Sequence, residues 1–74
     1  MEFKTNTEFV NKVKLECNDK TFVEAVAGFY FDSQTDPVKQ RVLTAFGKRI
    51  ELKNGKPNID EVELLDMYEE ELSK

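Results

Sequence analysis

Two charged runs hold most of the chemistry in this chain. Between residues 60 and 71 stand seven carboxylates: Asp60, Glu61, Glu63, Asp66, Glu69, Glu70 and Glu71. Just upstream, Lys39, Arg41, Lys48, Arg49, Lys53 and Lys56 face a single acid, Glu51, giving residues 37–56 a charge of +5. Residues 57–74 carry −6 and residues 1–36 carry −3, so the net charge of −4 is the remainder of a strongly dipolar chain. Carboxylates in such a run can offer acceptors to an Arg- or Lys-rich surface, or imitate a track of phosphates. The cations can hold phosphates themselves. If the two runs are neighbours in space they partly neutralise each other, at about 0–1 kcal/mol per exposed pair.

Other chemistry lacks its residues. There is no histidine and one cysteine in 74 residues. That removes the commonest general base, the Ser-His and Cys-His pairs and an ordinary zinc site. Asp32-Ser33-Gln34-Thr35-Asp36 has the look of a calcium loop, but Pro37 replaces the required glycine and Leu43 the closing glutamate. Gly47-Lys48 lacks the rest of a phosphate-binding loop. No catalytic residue, metal site or cofactor is expected, and an enzyme ranks last among the readings.

The elements that must position the charges can be read from capping and periodicity. The expectation is a single compact domain, residues 1–74, mainly α or small α+β. Helices are expected near 6–17, 21–31, 37–46 and 60–73, with a β-hairpin near 49–59. Thr5 with Glu8, Thr21 with Glu24, and Asp60 with Glu63 have capping-box spacing. Asp36-Pro37 is a good helix start, and Gly47 a natural stop. Asn54-Gly55 marks a two-residue hairpin turn pairing Lys53 with Lys56, Leu52 with Pro57, Glu51 with Asn58 and Ile50 with Ile59. The alternative is an all-α four-helix bundle whose third helix runs to about residue 53. Phe9, Val13, Phe22, Val26, Phe29, Val42, Phe46, Ile50, Leu65 and Tyr68 form the expected core. Val62, Leu65, Tyr68 and Leu72 are the expected buried stripe of the last helix, with Leu64 widening it. Cys17 reads as a small buried hydrophobe.

Lys53 to Leu65, KNGKPNIDEVELL, is loosely similar to the end of phage-repressor helix-turn-helix domains. The turn and recognition helix that should precede it do not fit between Gly47 and Gly55, so the chain is not assigned to that family.

No apolar run reaches the ~20 residues needed to span a bilayer, and MEFKTNTEF lacks the regions of a signal peptide. A lone cysteine suits a reducing compartment, and a cytoplasmic location is expected. The leading expectation is a small acidic regulator or inhibitor that occludes a larger protein, one that is basic or handles nucleic acid, through its terminal helix. Such a size suits a phage or mobile-element protein. The second expectation is a winged-helix-like nucleic-acid binder using residues 37–56. A third is a subunit of a larger assembly, or a homodimer closed through Phe22–Phe31.

Overall fold

A computed structural model describes residues 5–74, which fold as four helices and a two-stranded antiparallel hairpin. The first four residues, part of the segment read as lacking a leader, lie outside the described residues. The order is α1 (Asn6–Glu16), α2 (Lys20–Ser33), α3 (Pro37–Arg49), β1 (Leu52–Lys53), β2 (Lys56–Pro57) and α4 (Glu61–Leu72). This is the mainly helical fold with a hairpin that the sequence predicts, and the all-α alternative is not formed.

Helix starts are set by short polar side chains that satisfy free backbone amides. Thr5 Oγ1 accepts from the Glu8 amide at 3.1 Å, and Asp36 Oδ1 accepts from the amides of Val38 and Lys39 at 3.0 and 3.3 Å. Asp60 does the same for Val62 at 3.2 Å. The second helix corrects an expectation, because its cap is Asp19, accepting from Phe22 at 3.1 Å, rather than Thr21. Thr21 therefore lies inside the first turn, and the helix runs on to Ser33 instead of stopping near residue 31.

The third helix also outruns its expected end at 46, continuing through Gly47 to Arg49. The reason is packing. A Cβ at Gly47 would sit 3.2 Å from Phe9 Cδ2 and 3.3 Å from Cγ, so the missing side chain lets the Phe9 ring lie against α3. Phe46 is the centre of the core, with ring centroids of Phe9 at 6.2 Å and Phe22 at 5.9 Å. Val10, Val13, Val26, Phe29, Val42, Leu43, Ile50 and Leu64 complete the buried set. Of the expected core, Phe9, Val13, Phe22, Val26, Phe29, Val42, Phe46 and Ile50 are buried. Cys17 is half-buried against this cluster.

Two expected core residues are misplaced. Leu65 is 49% exposed, and Tyr68 only flanks the core; Leu64 takes the buried position with nothing exposed. Val62 and Leu72, expected in the same stripe, are 53% and 56% exposed. One residue along a helix is about 100° of rotation, so choosing Leu64 over Leu65 turns the whole stripe outward. Contacts on both sides fix that rotation. The Phe29 ring meets Tyr68 edge-on at 5.5 Å from α2, while Arg49 of α3 reaches Glu63 at 2.6 Å.

The hairpin has the expected register, Leu52 opposite Pro57 and Lys53 opposite Lys56, but it is shorter than the expected 49–59. Ile50 does not pair with Ile59, because Ile50 caps α3 and its amide donates to the Phe46 carbonyl at 3.1 Å. Asn54 (φ 56°) and Gly55 (φ 79°) both adopt the positive φ that a type I′ turn demands. Beyond the two ladder pairs, Asn58 extends the pairing with its side chain. Its amide donates to the Glu51 carbonyl (3.0 Å), its Oδ1 accepts from the Glu51 amide (2.7 Å) and its Nδ2 donates to the Arg49 carbonyl (3.2 Å). One residue thus closes the hairpin and satisfies the last carbonyl of α3. The turn itself is anchored by the Asn18 amide, which donates to the Gly55 carbonyl at 2.8 Å.

Asn58→Ala removes both side-chain bonds and should cost about 1–3 kcal/mol, two net hydrogen bonds at the usual value. Chemical denaturation should show a lower midpoint with an unchanged slope, and a wild-type midpoint would refute the capping role of Asn58.

Candidate protein-binding face

The two charged runs meet along the α3–α4 junction. Arg49 Nη1 lies 2.6 Å from Glu63 and 3.7 Å from the Met67 sulfur, and Arg41 Nε approaches Glu71 at 3.9 Å. Glu71 also receives Lys74 at 3.2 Å. Part of the +5 is therefore neutralised by part of the −6. Both α3 arginine side chains remain more than half exposed, 62% for Arg41 and 55% for Arg49, so each pair contributes at most about 1 kcal/mol. Together with the fully buried Leu64, they hold Glu63 and Glu71 on the α3 side and so set which face of α4 looks outward.

Lys39 is used elsewhere. Its ammonium donates to Asp32 at 2.6 Å and lies 5.0 and 5.2 Å from the ring centroids of Phe29 and Tyr68. The Tyr68 hydroxyl in turn reaches Asp36 at 3.4 Å, tying α4 to the start of α3. The hydrogen bond to Asp32 is the main reason the Lys39 pKa is raised above 10.5; desolvation opposes the rise, and the charges of Asp32, Tyr68 and Asp36 add to it.

The expected acidic face is thereby sorted. Asp60 is spent on its cap, and Glu63 and Glu71 on arginines. Glu61 (half-buried), Asp66, Glu69 and Glu70 make no ion pair among the described residues, and the last three are exposed. The expected basic set divides likewise. Lys39, Arg41 and Arg49 are engaged within the molecule, whereas Lys48, Lys53 and Lys56 are exposed and make no ion pair among the described residues. Lys53 and Lys56 stand opposite each other across the turn, a like-charge pair that weakens the hairpin tip.

Sequence reasoning assigned Val62, Leu65 and Leu72 to the interior and so missed them as surface residues. They are interleaved with Glu61, Asp66 and Glu69 on the outer side of α4. The signal was present in their own i, i+3, i+10 spacing, which describes a helical stripe equally well whether it faces a core or a partner.

Elsewhere, Leu15 on α1 and Phe31 on α2 are the most exposed large apolar side chains among the described residues, at 85% and 78%, and neither belongs to the α4 stripe. A notch between α1, the end of α2 and α3 is lined by hydroxyls and amides, but these bond to one another: Thr7 to Tyr30 at 2.5 Å, Thr44 to Asn6 at 3.1 Å. Among the described residues no cluster of three or more ligating side chains could hold a metal ion, and no helix is long and apolar enough to cross a membrane. No protein-family model, curated protein or solved structure matches the chain.

A raised lysine pKa stabilises the fold fully below the unfolded-state value and loses that contribution as pH rises through the folded one. Lys39→Met, which keeps a straight stem, should therefore be less stable than wild type by about 1 kcal/mol through the neutral range. The difference should shrink only above about pH 10.5. Thermal melts of both proteins from neutral to alkaline pH measure it, and a difference that vanishes near neutrality would refute the assignment.

Proposed function

We propose that this protein is a non-enzymatic regulator or inhibitor that occludes a basic surface of a larger protein with the outer face of α4. The observation that carries this reading is the exposed apolar residues Val62, Leu65 and Leu72 set among carboxylates that nothing else in the described chain neutralises. A plain solvated helix face has no need of three large apolar side chains at about half exposure. An interface does: its centre is apolar and its rim charged. The acidic rim steers encounter with a basic partner and rejects an acidic one. The partner class is therefore a basic protein, including one that handles nucleic acid, and the site residues are Glu61, Asp66, Glu69 and Glu70.

A second reading is nucleic-acid binding through the hairpin. It is favoured by Lys48, Lys53 and Lys56, which keep their charges unpaired among the described residues, and by the costly juxtaposition of Lys53 with Lys56. It ranks second because Lys39, Arg41 and Arg49 are engaged with acids, and α4 surrounds the patch with negative charge.

Affinity capture from the native cell, with mass spectrometry, should retain a basic protein that elutes as salt is raised. Combined Asp66→Lys, Glu69→Lys and Glu70→Lys changes should abolish capture, while Glu63→Gln should leave most of it. Capture that ignores the triple reversal refutes the acidic-face reading. In a low-salt mobility-shift assay with duplex DNA or RNA, the expected result is no retardation at micromolar protein. Retardation lost in a Lys48, Lys53 and Lys56 triple alanine variant would instead establish the second reading.

A further inference from the structure

We infer that the outer face of α4 is a seam for one helix, and that its occupant is a basic amphipathic helix of the partner protein. The inference rests on the acidic-face reading above and specifies the shape of what binds. Val62, Leu65, Glu69 and Leu72 fall at i, i+3, i+7 and i+10, the a-d-a-d positions of two heptads along a helix. The three apolar members are 53%, 49% and 56% exposed and lie on one side of the helix, so they form a stripe rather than scattered single residues. A twelve-residue helix gives a seam about 18 Å long, suited to two or three turns of a partner helix and too narrow for a sheet face.

The opposite side of α4 is already occupied. Leu64 is fully buried, Met67 packs on the core, and Glu63 and Glu71 pair with α3. A second helix can therefore approach only from the outside. Tyr68, held edge-on by Phe29 and flanking the seam at a g position, offers a rigid shoulder that needs no reordering on binding.

Charge decides which helix. A second copy of this chain is disfavoured. In a parallel pair Glu69 at a would face its own copy, and Glu61 at g would meet Asp66 at e of the other helix. Like charges brought together in that way oppose association. A nucleic acid or an anionic membrane meets the same repulsion. A helix with leucines at a and d and Arg or Lys at the flanks buries the three apolar side chains and pairs Glu61, Asp66 and Glu69 with cations. An Arg fits Glu69 best, because its guanidinium can reach the carboxylate while its stem lies along the leucines.

The test uses the full chain and a fluorescently labelled synthetic peptide with Leu at a and d and Arg or Lys at e and g. The peptide should bind, with affinity falling as salt is raised. A counterpart with Glu in place of the cations should not bind. The double variant Leu65→Asp, Leu72→Asp changes only half-exposed positions and should keep the wild-type circular dichroism while losing about tenfold or more in affinity. Glu69→Lys should bind the cationic peptide more weakly and the acidic one better.

No binding of the cationic peptide, equal binding of the acidic one, or an unchanged affinity in the double Asp variant overturns the inference. So does a wild-type dimer in sedimentation that the double Asp variant dissolves, because the seam is then filled by a second copy. Failure of the two readings is separable. If the cellular partner depends on Asp66, Glu69 and Glu70 but not on Leu65 and Leu72, the acidic face stands and the helical seam falls. If it depends on neither, both fall.

Discussion

Everything in this small fold is arranged around Phe46. Its ring receives Phe9 from α1 and Phe22 from α2, and all three are shielded from water. A chain of this length buries only about 60% of its unfolded surface, so two large rings packed on a third are a large share of the available driving force. The demand of that contact explains Gly47, which stays inside a helix despite the usual cost of about 1 kcal/mol because a side chain there would press on Phe9. It also explains why α3 runs three residues beyond the place where a glycine ordinarily ends a helix.

Once α1, α2 and α3 have closed around that cluster, α4 has only an edge left to cover. It buries Leu64 completely and leans Met67 and Tyr68 on the rest. A helix docked on an edge buries a narrow stripe, and its remaining apolar residues stay in water. The arginines of α3 then take up two of its carboxylates at the junction, and those on the far side keep their charge. Burial and charge pairing thus act together to leave one face both apolar and acidic.

Local chemistry made much of this legible beforehand. Thr5, Asp36 and Asp60 cap where short polar side chains should, and Asn54-Gly55 fixes the hairpin register because both positions require positive φ. Those features depend on neighbours in sequence. What could not be read depends on neighbours in space. The end of α3 turns on Phe9, thirty-eight residues away from Gly47, and the rotation of α4 turns on Arg49 and Phe29. Val62, Leu65 and Leu72 obey the same periodicity on either side of a helix, so periodicity could not say which side is wet. The charge runs were visible as runs, but their division into paired and unpaired members needed the distances across α3 and α4.

The bond from Asn18 to the Gly55 carbonyl bears on the order of events during folding. It joins two residues half the chain apart, and closing such a loop carries an entropic cost that nearest-neighbour helix contacts avoid. The Phe9–Phe46 contact of the three-helix cluster also spans thirty-seven residues, so the pin and the cluster carry the same closure cost and close together. α4 docks on an edge that the first three helices build, burying Leu64 there. The outer stripe of α4 is therefore presented in its final orientation only when the first three helices are in place. A chain caught earlier would carry the same carboxylates and leucines without the geometry that arranges them, so recognition of this face would also report that folding is complete.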